Sequence, residues 1–144
     1  MMNRAQRRIL SSNADKTAAK MAAATYDFQS GGLVRVTDRR AIGALQRGFA
    51  AMLRARGEPQ AIAITPEEAE GFPHHRGHVL PGGVTWLAVG LDAGYRATYA
   101  LQSARDDAGD SKRANETARS LALLRLASLA ATGGFPIGET RGTA

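Results

Sequence analysis

Arginine side chains are the groups in this 144-residue chain best suited to a specific chemistry. Residues 1 to 57 carry eleven Arg and Lys and three Asp, whereas the remaining 87 residues carry eight Arg and Lys and ten acids. Arginine supplies 16 of the 19 basic residues, and its guanidinium donates bidentate hydrogen bonds to phosphate and carboxylate. The imbalance predicts a positive field at one end of the protein, suited to a polyanion or an acidic partner.

The predicted contact residues fall into three groups, which are a basic N-terminal segment, the polar face of a predicted helix and a loop that contains histidine. They are Arg4, Arg7 and Arg8; Arg39, Arg40, Arg47 and Arg54; and Arg76. Each exposed contact with a phosphate adds to a salt-dependent affinity. No second helix with helix-turn-helix spacing is evident, so recognition of a specific base sequence in a DNA groove is not predicted. A solvated charged face is the alternative interpretation.

All three histidines lie in one loop, and imidazole nitrogen is a common ligand of divalent metals. His74, His75 and His78 surround Arg76, and Gly77 disfavours the helix that would align His74 with His78. The chain has no cysteine. We therefore expect no metal and no cofactor, and interpret the segment as an exposed loop that extends the basic surface. A metal-assisted enzyme at these histidines is a third, distant hypothesis.

Other candidate groups match no catalytic pattern. The glutamates within residues 67–70 follow Thr65-Pro66, so helix capping and the helix dipole account for them. The aspartates within residues 106–110 lack the spacing of an EF-hand. The glycine-rich turns match no phosphate-binding loop, and no serine lies in a nucleophile elbow. We expect a protein that is not an enzyme.

Three aromatic residues on a predicted hairpin offer a different binding mode. Trp86, Tyr95 and Tyr99 lie near Arg96 and Arg105, and such a set can stack on the bases of single-stranded nucleic acid. Aromatic residues on strands belong more often to the core, and none of the three lies in an RNP-like motif. The sequence therefore favours burial over a stacking platform.

Apolar spacing and turn residues predict the elements that position these groups. We expect a basic helix from Asn3 to about Thr25, short extended segments at 26–29 and 33–36, and a helix capped by Thr37 or Asp38 that ends at Gly57. The apolar face of this last helix consists of Ile42, Leu45, Phe49, Met52 and Leu53. If that face packs, its arginines face solvent.

The second half of the chain predicts a β-hairpin and a long helix. Residues 84–91 and 95–102 flank the turn Asp92-Ala93-Gly94, after a short strand at 61–64 and a helical turn capped by Thr65. A helix follows over 112–131. Its leucines cover more than half of its circumference, which indicates either the most buried helix or an oligomer contact. They are Leu121, Leu123, Leu124, Leu126 and Leu129.

These elements together predict an α+β fold, in which a small antiparallel sheet with the hairpin at about 84–102 is packed by two or three helices. We expect a basic N-terminal helix or arm over residues 1–30, one globular domain over 31–137 and a flexible tail over 138–144. The most apolar stretch is interrupted by Arg125, so no membrane segment is predicted.

The opening segment Met2-Asn-Arg-Ala-Gln-Arg-Arg8 resembles the start of many small proteins encoded by bacteriophages and prophages. The resemblance implies a viral protein, in the host cytoplasm or associated with the virion, that acts by binding a host machine, the viral genome or another virion component.

We therefore expect a non-enzymatic binding protein that engages nucleic acid or a nucleoprotein complex through its arginine-rich face. The alternative is a structural or assembly protein that forms a homo-oligomer through the helix over 112–131.

Overall fold

A computed structural model of the protein describes residues 13–27, 34–73, 75, 83–105 and 111–131. These ranges form four helices and five strands, and the fold is α+β, as the sequence predicts. In chain order the elements are α1 (Ala14–Ala24), β1 (Tyr26–Asp27), β2 (Val34–Arg35), α2 (Arg39–Arg54), β3 (Gln60–Ile64), α3 (Pro66–Glu70), β4 (Val84–Leu91), β5 (Ala97–Ala104) and α4 (Ser111–Ala131).

The five strands form one sheet in the order β2-β1-β5-β4-β3. The predicted hairpin is confirmed, because β4 and β5 pair antiparallel with Trp86 opposite Gln102, and β3 pairs antiparallel with the other edge of β4. The sheet is not wholly antiparallel, since β1 runs parallel to β5 with Tyr26 opposite Thr98. This pairing brings the segment after α1 to the sheet, which the local sequence pattern did not indicate.

Helix α2 packs against one face of the sheet and contributes most to the core there. Asp38 is its N-cap, as predicted, and the spacing of its apolar residues buries Leu45, Phe49 and Met52 completely. The close approach of α2 to β4 occurs at Gly48, where an added Cβ would lie 3.1 Å from both methyl groups of Val89. The helix ends where Gly57 adopts a positive φ and donates its N–H to the carbonyl of Met52.

Helix α3 is held beside the start of α2. Thr65 and Glu68 form the predicted capping box, in which each side chain accepts a hydrogen bond from the backbone N–H of the other residue. Gly71, the residue that follows this helix, lies against the N-cap of α2. A Cβ added at Gly71 would approach Asp38 Oδ1 to 2.4 Å. Close contact between the two helix ends therefore requires glycine at position 71.

Helix α1 packs on α2 through small side chains. Asn13 caps it, and Ala18 and Ala22 are buried in the same core as the apolar face of α2. At its other end, Arg35 Nε donates a 3.0 Å hydrogen bond to the carbonyl of Ala23, which satisfies one of the terminal carbonyls of the helix. The predicted division of the chain near residue 30 stays a prediction, but residues 14–24 contribute directly to the main core.

The turn between β4 and β5 is longer than predicted. Asp92 is buried, and its Oδ1 accepts hydrogen bonds from the backbone N–H groups of Gly94 and Arg96 at 2.7 and 2.9 Å. Tyr95 lies inside this turn with φ of 66° rather than on the return strand. The prediction that the return strand begins at residue 95 is therefore wrong, because the hydrogen bonds of Asp92 hold the backbone in a wider turn.

Helix α4 covers the opposite face of the sheet. Ala88, Ala100 and Leu126 form a second, smaller core there. The leucines of α4 are not uniformly buried: Leu126 and Leu129 face the sheet, whereas Leu121 and Leu124 are 44% and 65% exposed. Helix α2, with eight buried residues, is therefore the more deeply buried of the two. Within the described ranges, no helix has the length and apolarity needed to cross a bilayer.

Candidate functional site

Three of the predicted contact arginines form a stripe along the exposed side of α2. Arg40, Arg47 and Arg54 are seven residues apart, so each lies close to two full turns, about 10 Å along the axis, from the next. Their side chains are 53%, 52% and 62% exposed. The apolar face of the helix produces this arrangement, because burying it turns the arginines toward solvent.

Arg40 lies at the start of the stripe, beside the N-cap. Asp38 Oδ1 accepts hydrogen bonds from the backbone N–H groups of Ala41 and Arg40, and Arg40 Nε lies 3.5 Å from the same oxygen. These bonds, with that from Ala41 as the largest contribution, lower the pKa of the Asp38 carboxyl below its ordinary value. The guanidinium of Arg40 keeps donors that face solvent.

Arg47, in the middle of the stripe, is bound to α3. Its Nη1 and Nη2 donate to the two carboxylate oxygens of Glu68, the second bond measuring 2.9 Å. The hydrogen bonds from Arg47 lower the pKa of Glu68, and the carboxylate raises the pKa of Arg47. Because Glu68 is also fixed by its capping box, Arg47 is held in one position and connects α2 to α3.

Arg54, at the end of the stripe, reaches across to α1. Its Nη2 donates a 2.7 Å hydrogen bond to Asp15 Oδ1, and the Asp15 side chain is 78% exposed. Asp15 lies in the first turn of α1, where the helix dipole favours a negative charge. A pair exposed to this degree contributes about 0.2–1 kcal/mol to stability.

A groove of about 460 Å³ runs between α1 and α2 beside the last two arginines of the stripe. Its floor contains the small side chains of Ala18 and Ala50, which are buried in the helix contact. Its polar lining comes from both helices and consists of Asp15, Gln46, Arg47 and Arg54. The groove therefore combines an apolar base with two arginines, each of which is paired with a carboxylate.

Further cations surround the stripe. Arg39 is exposed beside Arg40, and Lys16 and Lys20 are exposed on α1. No acidic partner of these three side chains occurs among the residues that the structure describes. The acidic helix α3 lies next to α2, and its Glu68 is paired with Arg47.

The remaining predicted contact residues lie outside the described ranges. They are Arg4, Arg7, Arg8 and Arg76, together with His74 and His78. Of the histidine loop, His75 is described, and its backbone N–H donates to the carbonyl of Phe72. In the ranges given above, no group of three or more His, Asp or Glu side chains is placed to hold a metal ion.

The aromatic residues do not form one surface. Tyr99 is fully buried against Phe72, with ring centroids 5.0 Å apart, on the side of the sheet that α2 covers. Trp86 lies on the other face under α4, where the guanidinium of Arg119 is 5.8 Å from the centre of its ring. Tyr95 is in the turn. The stacking platform considered from the sequence is therefore absent from this part of the chain.

Two residues of the site were missed by the sequence analysis. Asp15 was counted only as a charge and Glu68 only as a capping residue, yet they bind Arg54 and Arg47 across 39 and 21 residues of chain. No local pattern indicates either pair, since each depends on how α1 and α3 pack against α2.

Comparisons of the chain with models of known protein families, with curated proteins and with solved structures find no match.

Proposed function

We propose that this protein is a non-enzymatic nucleic-acid-binding protein that contacts backbone phosphates through the exposed side of α2. The observation that supports the proposal is the exposed side of α2, where the side chains of Arg40 and Arg54 are each more than half exposed and Arg39 is exposed beside Arg40. Guanidinium groups on such a surface can neutralise backbone phosphates and release counterions, which is the main source of affinity in binding without sequence readout.

The arginines of this surface have different roles in the proposal. Arg39, Arg40 and Arg54 are the contact residues, because each keeps exposed donors and is at most weakly paired. Arg47 is a positioning residue, since both of its terminal nitrogens are bound to Glu68. Replacing Arg47 would change the packing of α3 together with the charge, and it is therefore a poor probe of binding.

The test is a triple variant in which Arg39, Arg40 and Arg54 are changed to Gln. Binding of labelled single-stranded DNA, double-stranded DNA and RNA oligonucleotides is measured between about 50 and 200 mM salt. The matched control changes Arg105, Lys112 and Arg113 to Gln. It removes the same charge at the end of β5 and the start of α4, away from α2.

We expect the triple variant to bind more weakly and to lose about two to three units from the slope of log affinity against log salt, because each phosphate contact contributes about 0.7–0.9. The control variant should keep most of that slope. Equal effects of the two variants, or no binding by the unchanged protein at the lower salt, would contradict the proposal.

From the segment Met2 to Arg8 we further propose that the protein is encoded by a phage or another mobile element.

A second candidate function is assembly through α4. The observation in its favour is the exposure of Leu121 and Leu124 on the outer side of that helix. Two copies packed through this side would bury both residues. Sedimentation at micromolar concentration should then show a discrete oligomer that persists in moderate salt and dissociates when both leucines are changed to Ser. A stable monomer of the unchanged protein would rule this function out.

A further inference from the structure

An acidic side chain of the protein already binds one of the two arginines that line the groove between α1 and α2. Asp15 Oδ1 accepts the 2.7 Å hydrogen bond from Arg54 Nη2, and Asp15 itself lines the groove. A carboxylate and a phosphate oxygen bind guanidinium in the same way. The position of the Asp15 carboxylate therefore marks where a phosphate oxygen could bind.

The groove has room for such a group. Its volume of about 460 Å³ is bounded below by Ala18 and Ala50, whose side chains end at Cβ. Both residues are almost completely buried, at 1% and 6% exposure, so the floor is part of the packed contact between the helices. The floor is therefore fixed by the helix contact, whereas the walls consist of the longer side chains of Asp15, Gln46, Arg47 and Arg54.

The hydrogen-bonding capacity of the walls is only partly used. A guanidinium has five N–H donors. The described bonds use one nitrogen of Arg54 and two of Arg47. The amide of Gln46 lies on the same lining and can donate as well. Donors of Arg54 and Gln46 therefore remain available to a phosphate in the groove, whereas Arg47 is held by Glu68.

Displacing Asp15 does not require α1 to unfold. Asp15 is the second residue of α1, after the cap at Asn13, and its side chain is 78% exposed. When it leaves Arg54, its carboxylate turns into water and stays near the positive end of the helix dipole. The exchange therefore replaces one weak surface ion pair with a contact to a ligand of higher charge.

We propose that this groove is a phosphate subsite of the nucleic-acid-binding face, and that Asp15 is an intramolecular competitor which the ligand phosphate displaces from Arg54. The inference rests on the proposed function, since it concerns how Arg54 on that same surface contacts a phosphate and how Asp15 regulates the contact. Its consequence is that the protein binds more weakly than its arginines alone would allow, and that removing one carboxylate strengthens binding.

The experiment is a double-mutant cycle on Asp15→Asn and Arg54→Gln, with the labelled oligonucleotide that the unchanged protein binds best. Asp15→Asn should tighten binding about twofold to fivefold at low salt, the range that one exposed ion pair supplies. In the Arg54→Gln protein the same substitution should have little effect. Glu116→Gln, an exposed acid on α4, removes the same charge on the other face of the sheet and should leave the affinity nearly unchanged.

Two measurements separate competition from a change in folding. Circular dichroism and thermal unfolding show whether α1 keeps its helicity in Asp15→Asn. Asp15→Glu retains the charge at the start of the helix, and it should bind like the unchanged protein rather than like Asp15→Asn. The proposal is supported if Asp15→Asn tightens oligonucleotide binding, if this effect disappears in the Arg54→Gln protein, and if α1 keeps its helicity.

The inference is overturned if Asp15→Asn has no more effect than Glu116→Gln, or the same effect with and without Arg54. Either result would leave the proposed function standing, because the unchanged protein would still bind with a salt dependence set by α2. Absence of oligonucleotide binding by all variants, Asp15→Asn included, would instead remove the proposed function and the subsite together.

Discussion

The two carboxylate oxygens of Glu68 accept hydrogen bonds from the two terminal nitrogens of Arg47, so that α3 is bonded to the middle of α2. Oε1 of Glu68, which accepts the hydrogen bond from Arg47 Nη2, also accepts one from the backbone N–H of Thr65 at 3.0 Å. One side chain thus completes a local helix cap and a contact between two helices. It also withdraws Arg47 from the arginines that are available to a ligand.

Changing Glu68 to Gln should isolate the contribution of this ion pair. Glutamine at this position keeps the capping box, because its amide oxygen still accepts the N–H of Thr65. The free energy of unfolding should fall by about 0.5–1 kcal/mol, as expected for a bidentate pair whose arginine is half exposed. Urea unfolding followed by circular dichroism measures the change. Glu67→Gln, an exposed neighbour, is the control, and equal stability of the two variants would contradict the prediction.

Acid should destabilise the protein through Asp38 and Glu68. Both carboxyls have a lower pKa in the folded protein than their ordinary values of 3.8 and 4.5. Such groups stabilise the fold above their unfolded pKa, and this stabilisation is lost as the pH falls through the folded pKa. We expect their contribution to be constant near neutral pH and to decline once the pH drops below those ordinary values.

The measurement for this pH effect is urea unfolding of the unchanged protein and of the Asp38→Asn and Glu68→Gln double variant, from neutral pH to about pH 3. The variant should lose less stability over this range than the unchanged protein. If the free energy of unfolding falls equally with pH in the two proteins, these carboxyls are not responsible for the loss of stability in acid.

Two glycines of α2 should respond oppositely to alanine. A Cβ at Gly43 meets no atom within 4 Å, so Gly43→Ala should stabilise the helix by about 0.5–1 kcal/mol. A Cβ at Gly48 would lie 3.1 Å from the two methyl groups of the buried, stiff side chain of Val89. Overpacking should make Gly48→Ala less stable than the unchanged protein by about 1 kcal/mol, even after the gain in helix propensity. Equal thermal midpoints of the two variants would contradict this.

Alanine at position 71 should disturb the cap of α2. The φ of Gly71 is −77°, which suits any residue, so the effect is purely steric: an added Cβ would approach Asp38 Oδ1 to 2.4 Å. Displacing the cap should cost about 1–2 kcal/mol. In an Asp38→Ala protein the same change should cost less, because the clashing carboxylate is gone. Chemical denaturation of the four proteins tests this, and simple additivity would argue against the contact.

Much of the fold was predictable because its signals are local. The cap at Asp38, the box formed by Thr65 and Glu68, and the hairpin of β4 and β5 each involve residues close together in the chain. The spacing of the apolar residues of α2 likewise determined which of its arginines face solvent. The turn at Asp92 was less predictable, since the positive φ of Tyr95 follows from hydrogen bonds that the turn residues alone do not specify.

The sequence by itself determined most of the secondary structure, the α+β class and the exposure of the arginines on α2, because periodicity and capping act over a few residues. Only the tertiary structure decided that β1 pairs parallel with β5, that Arg47 is bound to Glu68 and that Arg54 is bound to Asp15. These contacts join residues far apart in the chain. They form only when the helices dock, so their partners are selected by packing geometry and not by any pattern that neighbouring residues carry.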